Sequence, residues 1–185
     1  MSTPRPPQPA KLVVGFLLRD KKLLPVLAAA LEDRFGPVAL VSPWMPFGYT
    51  DYYETEMGAP LFRRVLAFRD MVGQDGLARI KRATNAIEQA HMMEGRRRVN
   101  IDPGYLLLER FVLATGKNYS HRIYIGEGIY AELTLVFERG AFRPLPWTYP
   151  DYADRPLRDF LQRVRDQYAG DLKRESPGGR GRENG

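Results

Sequence analysis

Cysteine is absent from the 185 residues of the chain, and histidine occurs only twice. The lack of cysteine excludes disulfide bonds, thiolate nucleophiles and cysteine-ligated zinc or iron–sulfur sites. A mixed nitrogen and oxygen metal site would have to recruit Asp102, His121 and Glu132, but no HExxH or similar spacing is present. We therefore predict no metal site.

Long apolar runs are also missing, since no segment approaches the roughly 18 residues that cross a membrane. The N-terminal MSTPRPPQPAK contains no apolar core of a signal peptide. These features favour a soluble, cytoplasmic protein without a membrane partner. We expect a disordered leader at residues 1–10, a single globular domain at 11–173 and a disordered tail at 174–185.

Basic residues outnumber acidic ones, and the formal net charge is +6. Residues 1–10 contribute a single arginine and residues 175–185 are neutral overall, so the excess belongs to the predicted domain. Such an excess favours an anionic partner, which could be nucleic acid, a phosphorylated metabolite or an acidic surface.

Apolar periodicity predicts an α+β domain with a mixed, mostly antiparallel sheet of about five to seven strands and about three helices. The opening is βαβ-like. The predicted strands lie at 11–18, 38–42, 61–71, 99–101, 121–125, 129–138 and 141–145. The predicted helices lie at 21–35, at 75–92 with Asp75 as its cap, and at 156–172.

Turn and loop signals separate these elements. Asp102-Pro103-Gly104 predicts a turn, and Gly126-Glu127-Gly128 predicts the loop of a hairpin. The aromatic and proline-rich segments 43–58 and 144–152 are expected to be ordered loops, which commonly carry binding groups. The apolar stretch 105–115 fits either a strand or a short buried helix.

Polar residues that could perform chemistry are densest between Val99 and Val136. Lys117, Ser120 and Arg122 could together bind a phosphate or carboxylate, with His121 beside them. The alternative is a solvated basic turn in which His121 belongs to the rim. Asn100 and Tyr105 are further candidate ligand-binding residues in this segment.

Glu132 follows apolar residues on a predicted strand, where an unpaired carboxylate would be costly to bury. A structural ion pair with Arg122 across the hairpin is one interpretation. The other is a general acid or base whose pKa is raised by burial, assisted by Asp102 and His121. Asp102 could equally be a simple turn former.

Acids alternate with aromatic rings in the segment TDYYETEMG. Tyr52 and Tyr53 could frame a planar ligand ring while Asp51 or Glu56 accepts hydrogen bonds from it. The alternative is that the rings cover the core and the acids balance nearby arginines. The same two interpretations apply to three aromatic residues of the second loop, Trp147, Tyr149 and Tyr152.

Three segments, PFGYTDYYETEMG, NIDPGYLLLERFVLATGKNYSHRIYIGEGIYAELTL and LPWTYPDY, resemble an uncharacterised bacterial family, domain of unknown function 4416. The resemblance covers roughly residues 11–168 and implies no established activity. Members are sometimes labelled GTP-binding proteins. The chain lacks the phosphate-cradling GxxxxGK[ST] motif, so its residues give that label no direct support.

We expect the three segments to form a pocket that binds, and could transform, a small anionic ligand with a planar ring, such as a nucleotide-like metabolite. The alternative is a non-enzymatic RNA-binding or protein-interaction module that uses Arg96 to Arg98 and the helix at 75–92. Nucleic acid is less favoured because no RNA-binding signature is present. The residues indicate no particular cofactor, reaction or oligomeric state.

Overall fold

The most deeply buried strand of the computed structural model, which describes residues 2–175, is β1 (Ala10–Leu18). All nine of its residues are buried. Apart from Lys11 its sequence is apolar, which is typical of a strand that is covered on both faces. The rest of the fold is arranged around this strand.

The sheet contains nine strands, and every neighbouring pair is antiparallel. The strands after β1 are β2 (Val38–Val41), β3 (Met45–Phe47), β4 (Leu61–Val72), β5 (Val99–Leu106), β6 (Arg110–Thr115), β7 (Arg122–Gly126), β8 (Ile129–Glu138) and β9 (Ala141–Pro144). Their order is β2-β4-β1-β5-β6-β8-β7, with β3 also paired to β4 and β9 to β8.

Within residues 2–175, five α-helices accompany the sheet: α1 (Leu24–Phe35), α2 (Tyr52–Met57), α3 (Leu77–Ala90), α4 (Pro150–Ala153) and α5 (Arg155–Glu175). Helices α1 and α3 pack through Leu27, Leu31 and Ile80 on the face of β1 that carries Val14. Helix α5 packs on the opposite face, which carries Val13. The predicted α+β class is confirmed.

Several details differ from the prediction. The sheet is wholly antiparallel and larger than expected, and the predicted loops 43–58 and 144–152 contain β3, α2 and α4. The βαβ-like opening is present in split form: β1 and β2 run parallel to each other, but β4 lies between them. Asp75 does not cap α3, which begins after Gly76 without a side-chain cap.

The predicted turn at Asp102-Pro103-Gly104 is wrong, because these residues lie inside β5 and pair with Gly15, Val14 and Val13 of β1. On its other side, β5 pairs with β6 only from Gly104 to Leu106. A Cβ on Gly104 would lie 2.4 Å from the carbonyl oxygen of Val112, so glycine permits this close approach. Before Gly104 the two strands diverge and leave a gap in the sheet.

The first and last elements mark the two ends of the described fold. Residues 2–9 form no helix or strand, but Ala10 already belongs to β1. Helix α5 continues to Glu175, and the remainder of the predicted tail, residues 176–185, lies outside the described residues together with Met1. Within residues 2–175, no helix is both long and apolar enough to span a membrane.

Candidate functional site

A cavity of about 420 Å³ opens where β5 and β6 diverge. The start of β5 and the end of β6 form two of its walls, and α2, α3, α4 and the β7–β8 hairpin complete it. The cavity brings together nine of the residues that the sequence predicts for a site: Tyr52, Tyr53, Asn100, Asp102, Lys117, Arg122, Glu132, Tyr149 and Tyr152.

One group of charges, here called the hairpin cluster, consists of Lys117, His121, Arg122 and Glu132. Arg122 and Glu132 are directly opposite in the β7–β8 pair, and the Arg122 Nε donates to Glu132 Oε2 over 2.7 Å. Arg122 Nη1 also donates to the carbonyl of Lys117 over 3.0 Å. The ion pair that the sequence allows across the hairpin is therefore present.

His121 supports this pair from outside the cavity lining. Its Nε2 lies 3.2 Å from Glu132 Oε2, and its ring stacks on Trp147 with 5.1 Å between centroids. Trp147 is itself held by a 2.8 Å hydrogen bond from its Nε1 to the carbonyl of Leu133. His121 and Trp147 therefore position Glu132 and do not line the cavity themselves.

A second group, here called the floor cluster, consists of Arg63, Lys81, Asp102 and Asp151. Arg63 Nη1 lies 3.2 Å from Asp102 Oδ2, and its Nη2 lies 2.5 Å from Asp151 Oδ2. The guanidinium also contacts the faces of Phe47 and Tyr152 at 5.4 and 5.3 Å. Burial alone would lower the pKa of Arg63, but Asp151 and Asp102 raise it above its ordinary value.

Asp102 has three polar neighbours within this floor. It accepts a 2.6 Å hydrogen bond from Asn100 Nδ2 and lies 3.8 Å from the ammonium of Lys81. Burial opposes ionisation of Asp102, but Lys81 and Arg63 outweigh it and hold its pKa below the ordinary value. Asp102 is therefore a carboxylate at neutral pH, suited to accepting hydrogen bonds.

Glu88 and Arg97 connect the floor to the rim. Glu88 Oε1 accepts from the backbone N–H of Ile101 over 2.7 Å, and burial raises the pKa of Glu88 despite the opposing effect of Lys81. Arg97 Nη1 donates to Asn100 Oδ1 over 2.8 Å, and its Nε lies 3.2 Å from Glu56. Glu56 therefore pairs with Arg97 at the rim and is not part of the lining.

The lining is almost balanced in charge. Five cationic side chains and four carboxylates border the cavity. Lys117 differs from the other cations because no carboxylate within residues 2–175 pairs with it. Its ammonium lies 4.5 Å from the centroid of the exposed Tyr52 ring. An ammonium that is held over an aromatic face and lacks a counter-ion is available to an anion.

Besides His121, Trp147 and Glu56, three further predicted residues lie apart from the cavity lining. Ser120 is exposed in the turn before β7, and Asp51 is exposed immediately before α2. Tyr105 lies on β5, beyond the point where β6 joins it, and packs against the hydrophobic core. These positions place Ser120, Asp51 and Tyr105 outside the group that could contact a ligand in the cavity.

Sequence reasoning missed the floor cations and Asp151. Arg63 occupies the same face of β4 as Leu61 and Val65, which are both buried, and Lys81 lies one turn after Leu77 on the apolar face of α3. A basic residue inside an apolar stripe signals a buried charge with a partner. Asp151 offers no comparable signal, because its neighbours in the sequence form a loop and a single helical turn, which have no apolar periodicity.

Across residues 2–175, no group of three or more histidine, aspartate and glutamate side chains is placed to hold a metal ion. Neither the curated proteins nor the solved structures contain a significant match to the chain. One family profile, described as Domain of unknown function (DUF4416), matches residues 8–168. This match covers most of the chain, and the protein therefore belongs to that family.

Proposed function

We propose that the protein binds a small anionic ligand with a planar ring, such as a nucleotide-like metabolite, in the cavity between β5 and β6. The observation that carries the proposal is the ammonium of Lys117, which has no carboxylate partner within the described chain and lies 4.5 Å over the Tyr52 ring. This cation and this ring border a cavity of about 420 Å³, a size suited to a small metabolite.

The anionic group of the ligand would lie at the hairpin cluster. Lys117 supplies a point charge there, and Arg122 supplies a guanidinium whose Nε and Nη1 are already fixed by Glu132 and the Lys117 carbonyl. A guanidinium held in this way loses little freedom when it binds an oxyanion. Phosphate and carboxylate are the two common metabolite groups that fit.

The planar part of the ligand would lie among the tyrosines. Tyr52 and Tyr53 are in edge-to-face contact, with 5.1 Å between centroids, and Tyr149 borders the same space. Aromatic side chains bind planar rings through offset stacking and edge contacts. Glu132 is the group best placed to exchange a proton with the ligand, because it lines the cavity and His121 supports it from behind.

The alternative function, an RNA-binding or protein-interaction surface, has weaker support. Of its predicted contact residues, Lys81 is buried and Arg97 turns toward the cavity. Arg98 lies 3.5 Å from Asp20, and Arg82 lies 3.3 Å from Glu127. These ion pairs neutralise part of the basic surface that nucleic acid would need.

We also infer a cytoplasmic location, where phosphorylated metabolites are available.

A thermal-shift screen of nucleotides and sugar phosphates, followed by calorimetry of the hits, tests the proposal. The Lys117→Met variant should bind each hit at least about tenfold more weakly, because it removes from the anion site a positive charge that no carboxylate neutralises. Lys22→Met, which removes an exposed lysine distant from the cavity lining, is the matched control. Equal binding by wild type and Lys117→Met, or no hit in the screen, would refute it.

A further inference from the structure

Two adjacent residues of α4 border the cavity, and each carries a buried polar atom that has no hydrogen-bond partner in the described chain. Asp151 and Tyr152 both border the cavity and are 5% and 3% exposed. Asp151 Oδ1 and the Tyr152 hydroxyl form no hydrogen bond with any described residue. Because buried polar atoms in native proteins almost always have a partner, this pair suggests a recognition site.

Gly15 makes room for this arrangement. It lies in the middle of β1, opposite Asp102, where glycine is a poor strand former. A Cβ at this position would lie 2.8 Å from the Tyr152 hydroxyl oxygen and 3.2 Å from Arg63 Nη1. The hydroxyl therefore rests against the backbone of the central strand, in a space that any larger residue would fill.

The chemistry of the two atoms is complementary. Burial raises the pKa of Tyr152 above its ordinary value, outweighing the opposite effect of Arg63, so the phenol keeps its proton and can donate it in a hydrogen bond. Asp151 is paired with Arg63 through Oδ2, which leaves Oδ1 as an acceptor. A ligand group that satisfies both must accept one hydrogen bond and donate another.

We propose that Asp151 and Tyr152 recognise a neutral donor–acceptor group of the ligand and thereby orient its anionic group toward Lys117 and Arg122. This inference rests on the proposed function. In the floor cluster the carboxylates of Asp102 and Asp151 balance the cations of Arg63 and Lys81. In the hairpin cluster two cations, Lys117 and Arg122, face the single carboxylate of Glu132, so an anionic group is favoured there. The two ends of the cavity thus select opposite ends of one molecule.

A donor–acceptor group can come from two parts of a nucleotide-like ligand. The lactam edge of a guanine ring offers an N–H beside a carbonyl, whereas a single sugar hydroxyl can both donate and accept. Guanosine 5′-monophosphate carries both groups, ribose 5-phosphate carries only hydroxyls, and phenyl phosphate carries a ring and an anion without either. These three compounds separate the sources.

Calorimetric titration of the three probes into wild type and Tyr152→Phe tests the inference. The substitution removes a hydroxyl that has no partner in the described protein and keeps the ring that stacks on Phe111, so folding should be unaffected. We expect binding of the donor–acceptor probes to weaken about tenfold. Binding of phenyl phosphate should not change. Tyr105→Phe, outside the cavity lining, is the control.

The outcomes distinguish this inference from the proposed function. If only guanosine 5′-monophosphate loses affinity in Tyr152→Phe, the ring edge is the recognised group, and if ribose 5-phosphate also loses affinity, the hydroxyl is. If all three probes bind Tyr152→Phe with the same affinity as wild type, the Tyr152 hydroxyl does not contact the ligand and this inference is wrong. The proposed anion site at Lys117 and Arg122 would not be affected by that result. If no probe binds wild type, the proposed function and this inference both fail.

Discussion

The hairpin cluster and the floor cluster both hold charges inside the same cavity, but they are assembled differently. In the hairpin cluster, Arg122 and His121 lie 10 and 11 residues from Glu132 along the chain, and the pairing of β7 with β8 brings Arg122 opposite Glu132. In the floor cluster, Arg63 of β4 meets Asp102 across 39 residues and also meets Asp151 of α4. Local pairing builds the first cluster, and the tertiary fold builds the second.

The two clusters also differ in how many partners each arginine has and in what its partners would lose if it were removed. Arg63 is the shared cation of two carboxylates, so its loss would leave two negative charges close together. Arg122 has a second acceptor, the carbonyl of Lys117, and would retain it if Glu132 were changed. Single substitutions should therefore cost more stability on the floor than in the hairpin.

The largest effect is expected for Arg63→Met. The free energy of unfolding should fall by about 3–5 kcal/mol, because Asp102 and the buried Asp151 lose the cation that they share. Urea denaturation measures this change. Arg64→Met, on the neighbouring residue of β4 whose guanidinium lies over Trp44, should cost about 1 kcal/mol or less. Similar costs for both variants would show that the floor does not depend on its central cation.

A smaller effect is expected for Glu132→Gln. The substitution removes the charge between Arg122 and His121, and we expect a loss of about 2 kcal/mol in the free energy of unfolding. Glu138→Gln, at the exposed end of the same strand, is the control and should stay within about 0.5 kcal/mol of wild type. A Glu132→Gln cost that equals or exceeds that of Arg63→Met would reverse the ranking of the two clusters.

Asp102→Asn should have a smaller and pH-dependent effect. Lys81 and Arg63 depress the folded-state pKa of Asp102 against the opposing effect of burial, so its ionised form adds stability above the unfolded pKa of about 4. That contribution is lost as the pH falls through the folded pKa. The partly exposed position limits it to about 1 kcal/mol at pH 7.

Unfolding curves of wild type and Asp102→Asn between neutral and acidic pH measure this contribution. The stability difference should be constant near neutrality and shrink once the pH falls below about 4. Because Glu88 titrates in both proteins, comparing them removes most of its effect. A difference that grows toward low pH would contradict the assigned direction of the pKa shift.

Sequence reasoning succeeded where structure is set by neighbours along the chain. The apolar run of β1, the periodicity of α1 and the glycine-containing hairpin are local features, and each lies close to its predicted position. The Arg122–Glu132 pair follows from the hairpin register in the same way. Nine predicted site residues line one cavity. Five of them lie between Val99 and Val136, a segment that supplies two of the cavity walls, and the others come from the segments 43–58 and 144–152.

Sequence reasoning failed where a distant element overrides a local preference. Asp102-Pro103-Gly104 has strong turn propensity, yet pairing along β1 draws it into β5. The burial of Arg63 and Lys81 was not predicted, because basic residues are usually exposed. Their burial depends on Asp102, Asp151 and the gap between β5 and β6, and none of these contacts is encoded in a short segment.

The smallest effect on stability is expected for Lys117→Met. Lys117 is exposed, contacts the exposed Tyr52 ring and pairs with no carboxylate of the described chain, so its loss should change the free energy of unfolding by no more than about 0.5–1 kcal/mol. Urea denaturation beside Glu132→Gln gives the comparison. If Lys117→Met lowers the free energy of unfolding as much as Glu132→Gln does, the Lys117 ammonium already makes a stabilising interaction within the protein. An anion would then have no unpaired cation to bind.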